Sequence, residues 1–121
     1  MLSGTLESND IINLEETMKI LSCDQETAVK MLKMLFDTIQ GDKVRLEIAY
    51  KNNDIQTTQE ILHTLEGCLC YCKAPKLNQV IIELHEQTKH INKLSSLRAI
   101  YDQLYQEIDN FVEEYYQIIA K

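Results

Sequence analysis

The chain has no tryptophan, a single proline (Pro75) and only three glycines in 121 residues. Helix breakers this scarce, in a sequence dense in Leu, Ile, Glu, Gln and Lys, argue for an all-helical protein. Positive charge is also short: 12 Lys and Arg stand against 19 Asp and Glu, a formal charge of −7. That balance disfavours nucleic acid and anionic membrane surfaces as partners, because both require a basic footprint. No apolar run approaches the roughly 20 residues of a membrane span, and residues 1–10 lack the basic-then-apolar order of a signal peptide. No Gly-rich phosphate loop, kinase-like ATP site, internal repeat or low-complexity tract occurs. What is present, 45% hydrophobic residues, suits one domain with one core. The expectation is a soluble, cytoplasmic domain without direct membrane contact, either free-standing or the cytoplasmic end of a longer membrane-anchored receptor.

Apolar spacing divides the chain into helices. Residues 1–9 read as a flexible N-terminal segment and residues 10–121 as the folded domain. Asn9 or Asp10 is expected to cap a short first helix to about Leu21, with Ile11, Ile12, Leu14, Met18 and Leu21 on its apolar side. Asp24 caps a second, in which Ala28, Met31, Leu32, Leu35, Phe36 and Ile39 recur at helical spacing. Gly41-Asp42 either stops or kinks that helix; the pattern resumes with Val44, Leu46, Ile48 and Ala49 and ends near Asn52-Asn53, a pair suited to a turn. Asp54 caps a third helix to about Cys72. Pro75 fits the first turn of a fourth, where its missing N–H costs nothing, and Leu77, Ile81, Leu84, Thr88 and Ile91 form its stripe. Ser95 or Ser96 is expected to cap the last helix, striped by Leu97, Tyr101, Leu104, Ile108, Phe111, Tyr115 and Ile118. Short connections between long helices favour antiparallel neighbours. The predicted fold is an antiparallel up-and-down four-helix bundle with an additional short N-terminal helix.

The third helix carries the most informative residue. At about 100° per residue, Ile55, Ile61, Leu62, Leu65, Cys68, Leu69 and Cys72 share one broad arc. Gln59, Glu60, His63, Glu66, Gly67 and Cys70 share the other. His63 therefore points away from its apolar neighbours. A lone surface histidine on an amphipathic helix is ordinarily just a solvated side chain. Gly67, one turn on, costs roughly 1 kcal/mol against alanine in a helix interior, and a bare strip of backbone beside the imidazole would let another protein come close. The pair suggests a nucleophile presented to a partner, not a pocket.

Cys68, Cys70 and Cys72 follow a C-x-C-x-C spacing, but each step turns a helix by about 200°. They cannot converge on one tetrahedral ion, and neighbouring helical cysteines do not readily meet disulfide geometry. Cys68 and Cys72 fall on the core arc, where free cysteine acts as a small hydrophobe; Cys70 falls on the histidine face. All four cysteines are expected to be reduced thiols, with no metal site.

His63-x-Leu65-x-Gly67, followed by Tyr71, Pro75 and Leu77, resembles the core signature of histidine-containing phosphotransfer (HPt) domains. The run Cys70-Tyr71-Cys72-Lys73-Ala74-Pro75-Lys76-Leu77 is similar to the C-terminal HPt domain of BarA-type hybrid sensor kinases, and the resemblance extends from about Ile11 onward. It implies a phosphorelay carrier without an ATP site of its own. A receiver domain, holding a phospho-aspartate and Mg²⁺, would dock on the His63 helix and hand over its phosphoryl group, and a second receiver would take it away. The domain itself would need no cofactor.

Two positions depart from the common pattern. HPt domains commonly carry lysine where this chain has Glu66. With Glu60 and Glu66 one turn away on either side, a phosphoryl dianion on His63 is disfavoured, and a more labile phosphohistidine is expected. The second is His85. The turn centres near Ala74, eleven residues after His63 and eleven before His85, so an antiparallel hairpin brings the two level. His85 is then either an ordinary boundary residue or a group that hydrogen-bonds one nitrogen of His63 and frees the other. His90 reads as an ordinary helix-end residue. The docking surface expected by adjacency comprises Ile55, Gln59, Gly67, Cys70 and Lys73, with Lys73 equally readable as a helix-end cation. The competing functional reading is a helical docking module that binds receivers without carrying phosphate. No apolar stripe is left over for a large self-interface, so a monomer is expected.

Overall fold

A computed structural model of the chain describes residues 12–69 and 74–120. Regular structure among them is helical: α1 Leu14–Leu21, α2 Gln25–Lys51, α3 Ile55–Cys68, α4 Pro75–Gln87 and α5 Arg98–Ile119, with 3₁₀ turns at Thr88–His90 and Leu94–Leu97. Helices α2 to α5 each pack on the next, and α5 returns to α2 to close a four-helix bundle; α1 lies against α2.

Helix starts follow local side-chain chemistry. Asp24 accepts the Thr27 N–H at 2.8 Å, and Asp54 accepts the Thr57 N–H at 3.1 Å and the Thr57 hydroxyl at 2.7 Å, satisfying amides the helix leaves free. For α1 the expected cap is displaced. Asn9, Asp10 and Ile11 lie outside the described residues, as does the segment 1–9, and Asn13 performs the capping with 2.9 Å to the Glu16 N–H. Ile12, just ahead of it, is buried, and Thr17 is the fully buried residue of α1.

Helix α2 runs unbroken through Gly41-Asp42. Its buried positions are Ala28, Leu32, Leu35, Ile39, Asp42, Leu46 and Ala49, alternating steps of four and three. Burying each Leu or Ile contributes about 1.5–3 kcal/mol, which outweighs the roughly 1 kcal/mol cost of one helical glycine. The same spacing turns Val44 and Ile48 outward, at 60% and 54% exposure. Asp42 takes a core position, with its carboxylate on the Arg45 guanidinium one turn along.

The segment between α4 and α5 differs from expectation. Thr88 and Ile91 leave the helix, Thr88 into a 3₁₀ turn and Ile91 into extended backbone. Ser95 and Ser96 sit inside the second 3₁₀ turn, where the Ser96 hydroxyl donates to the Lys93 carbonyl at 2.7 Å; α5 begins without a side-chain cap. Leu94 and Leu97 decide this. Both are buried, and residues three apart eclipse on a 3₁₀ turn, so the turn presents both to the core. Asn53, held at φ 53°, ties this segment to the α2–α3 turn: its amide donates to the Asn92 carbonyl at 3.1 Å and its oxygen accepts the Leu94 N–H at 2.8 Å.

Elsewhere the core follows the predicted stripes. Ile61, Leu62, Leu65 and Leu69 from α3 and its end meet Leu77, Ile81 and Leu84 of α4 and Tyr101, Leu104, Ile108 and Phe111 of α5. Phe36 stacks on Tyr115 with ring centroids 4.4 Å apart, and the Tyr105 hydroxyl donates to Glu47 at 2.6 Å, linking α5 to α2.

Candidate functional site

Helix α3 buries Thr58, Ile61, Leu62 and Leu65 and thereby turns His63, Thr64 and Gly67 to the surface. The residues one turn to either side of His63 are both tied to the neighbouring helix. Gln59 donates from Nε2 to the Thr88 hydroxyl at 3.2 Å and to the Thr88 carbonyl at 3.5 Å, and the Thr88 hydroxyl donates to the His85 carbonyl at 2.6 Å. On the other side, the Glu66 carboxylate meets Nδ1 of His85 directly. These side chains are partly shielded, His85 at 19% and Glu66 at 30% exposure. The imidazoles of His63 and His85 stand edge to face, centroids 6.2 Å apart at 63°.

The hairpin register thus brings His63 and His85 level, while the hydrogen bond from His85 goes to Glu66. Glu60 is exposed, and its backbone carbonyl accepts the Thr64 hydroxyl at 3.0 Å. Gly67 has open space around it: a β-carbon there would meet nothing within 4 Å. Among the described residues, packing therefore does not require this glycine, and the backbone beside His63 is bare. Gln59 is a brace between α3 and α4 as well as a neighbour of the histidine. Ile55 is half-buried at the start of α3. Cys70 and Lys73, with Tyr71 and Cys72, lie outside the described residues.

Sequence reasoning missed three features. A groove of about 400 Å³ runs between α2 and α3 beside Gly67, lined by Met31, Met34, Leu35, Thr38, Thr64 and Cys68, with Met34 at 65% exposure. Thr88 is a buried anchor for Gln59 and His85, and no signal distinguishes it from a stripe threonine. The Glu66–His85 contact had a usable signal: with the turn at Ala74, Glu66 is level with Ile82, one helical turn from His85. Burial, then the Asp42 carboxylate, push the Cys68 thiol upward, which keeps it protonated and poor as a ligand or nucleophile. Among the described residues, no three His, Cys, Asp or Glu side chains gather as a metal cage.

Among the described residues, the bundle presents an exposed imidazole on α3, with a bare glycine one turn away and a neighbouring helix tied to the same face, an arrangement that suits a surface histidine approached by a macromolecule. Comparison with known proteins gives the family. The Hpt domain family matches residues 30–114, and the chain belongs to it. Hpt domains are phosphotransfer modules of two-component systems, not catalytic enzymes in their own right, and they interact with receiver domains. The chain is also 28% identical over 67 residues to the sensor protein GacS of Pseudomonas syringae pv. syringae, a match that takes in 55% of this chain and 7% of that protein's length. Its fold is similar to the crystal structure of the HPt domain from a hybrid histidine kinase of Shewanella, with a TM-score of 0.80, 23% identity, and 90% of this chain covering 93% of that one. No helix among the described residues is long and apolar enough to cross a membrane.

Proposed function

We propose that this chain is a phosphorelay carrier that accepts a phosphoryl group on His63 from a receiver-domain aspartate and passes it to another receiver domain. The observation that carries the reading is the position of His63: exposed on α3 beside the bare backbone of Gly67, inside the residues matched by the Hpt family. The chemistry needs little else from this chain. An unprotonated ring nitrogen attacks phosphorus, the P–N bond forms as the aspartyl P–O bond breaks, and the electron pair of that bond leaves with the aspartate carboxylate. The partner brings the phospho-aspartate and Mg²⁺; this domain contributes the nucleophile and its alignment.

Gln59 and Gly67 flank the histidine as docking positions, with Ile55 further along α3; Cys70 and Lys73, the other docking positions of the proposal, lie outside the described residues. The domain acts as a monomer and needs no cofactor of its own, and its similarity to a sensor protein supports a cytoplasmic location. The test is incubation with a panel of phosphorylated receiver domains, following label onto the wild type and onto His63→Gln. Label on the wild type alone supports the carrier. Binding without label from competent donors would favour the module that docks receivers and carries no phosphate.

A further inference from the structure

The acidic residue beside the phosphoryl acceptor has a partner. Glu66 holds the place where HPt domains commonly have lysine, and a bare carboxylate there would repel a phosphoryl group. Its carboxylate is instead engaged with Nδ1 of His85, whose ring stands edge to face with His63. A carboxylate can only accept, so Nδ1 of His85 carries the proton, and in the neutral ring Nε2 is left as an acceptor.

Resting on the carrier reading of His63, we infer that Glu66 and His85 form a positioning relay: Glu66 fixes the tautomer of His85, and His85 Nε2 accepts the N–H of the non-attacking nitrogen of His63. An N–H···N bond of about 3 Å corresponds to ring centroids roughly 5 Å apart. From 6.2 Å, a side-chain rotation of exposed His63 closes the gap as a receiver docks. The bond holds the other His63 nitrogen unprotonated and aimed outward. When phosphorus is attacked, the P–N bond forms, the aspartyl P–O bond breaks and its electron pair leaves with the aspartate. The His63 proton stays on the nitrogen facing His85, so the ring becomes a phosphoimidazolium. Its positive charge is stabilised through His85 by the Glu66 carboxylate, as the buried aspartate of a Ser-His-Asp triad stabilises its imidazolium. The charge of Glu66 therefore serves the acceptor ring, not the phosphoryl group. Gln59 and Thr88 hold the α4 end of the arrangement through the His85 carbonyl.

The test uses the 121-residue chain and a receiver domain phosphorylated with acetyl phosphate, comparing Glu66→Ala, Glu66→Gln, Glu66→Lys, His85→Ala and the double Glu66→Ala/His85→Ala. Each alanine variant slows label transfer about two- to tenfold, the rate equivalent of one ordinary hydrogen bond. Glu66→Lys is as slow as Glu66→Ala. Glu66→Gln, whose amide oxygen still accepts from Nδ1 but carries no charge, falls between the wild type and Glu66→Ala. The double variant is no slower than either single, since both remove one relay. Imidazole ¹⁵N spectra supply a second readout: Glu66→Ala shifts the tautomer populations of His85 in the free chain, and of both His85 and His63 with a receiver bound. A faster Glu66→Lys, a Glu66→Gln as slow as Glu66→Ala, additive losses, or receiver-bound His63 resonances indifferent to Glu66→Ala would each overturn the relay. No label on the wild type would remove the carrier reading itself, and the relay with it; label on an unresponsive His63 removes only the relay.

Discussion

His63 and His85 stand edge to face across α3 and α4, 6.2 Å between centroids, with the Glu66 carboxylate on Nδ1 of His85. Thr88 secures the same stretch of α4 by accepting from Gln59 and donating to the His85 carbonyl. The surface histidine is therefore flanked by two ties between helices, one a turn before it and one a turn after. A side chain that looks merely solvated in its own helix lies in a frame set by its neighbour.

Thr88 is buried at 2% exposure, and its hydroxyl accepts from Gln59 and donates to the His85 carbonyl. Thr88→Val, nearly isosteric, leaves the His85 carbonyl and the Gln59 amide without that partner. The expected cost is about 1 kcal/mol, read by urea denaturation, with slower receiver-dependent labelling of His63. Unchanged stability would mean that water replaces the hydroxyl without loss.

Gly67 separates folding from docking. With open space around its Cα, Gly67→Ala should raise stability, by up to about 1 kcal/mol, visible as a higher Tm. Gly67→Gln should fold equally well yet bind receivers more weakly, because the added side chain covers the backbone next to His63. A Gly67→Gln variant with full receiver affinity would remove this glycine from the docking surface.

Asp42 occupies a core position of α2, and its carboxylate is 2% exposed while Arg45 is 65% exposed. Arg45→Ala strips the partner from a buried charge and should destabilise the bundle by about 1–3 kcal/mol. Asp42→Leu in the same background should recover stability, since it removes the charge that needs pairing. Thermal or urea denaturation of the single and double variants decides the matter.

Acid weakens the start of α3 in a defined direction. The Asp54 carboxyl lies below the ordinary 3.8 because the Thr57 hydroxyl, then the Thr57 N–H, donate to it. A folded-state value lower than the unfolded one means the cap stabilises fully above 3.8 and loses its effect as pH falls through the lower folded value. The stability difference between wild type and Asp54→Ala should be widest at neutral pH and should narrow at pH below 3.8. A difference independent of pH would refute the role of the charge.

The periodic elements were legible because burial repeats. The steps of four and three from Ala28 to Ala49 and from Tyr101 to Tyr115 are the core-facing positions of α2 and α5, and the aspartate caps at Asp24 and Asp54 sit where the stripes begin. Legibility failed where two residue types compete for one role. Asn9, Asp10 and Asn13 are all capping residue types; Asn13 caps Leu14–Leu21, and Asn9 and Asp10 lie outside the described residues. Ser95 and Ser96 look like caps, but Leu94 and Leu97 need a 3₁₀ turn to reach the core together. Asp42 defeats composition altogether, since a carboxylate at a core position becomes tolerable only through Arg45 one turn on. At the site, the level placement of His63 and His85 followed from the length of the hairpin. The same hairpin length puts Glu66 within one turn of His85, but the contact itself depends on which way the two side chains lean across the interface.

The most direct test of the account is to isolate the chain after exposure to a phosphorylated receiver, map the acid-labile phosphate, and chase with a second, unlabelled receiver. The account predicts phosphate on His63 alone, absent from His63→Gln, and its appearance on the second receiver's aspartate as it leaves the histidine. Phosphate on another residue, or a chain that binds receivers yet neither accepts nor surrenders phosphate, would contradict it.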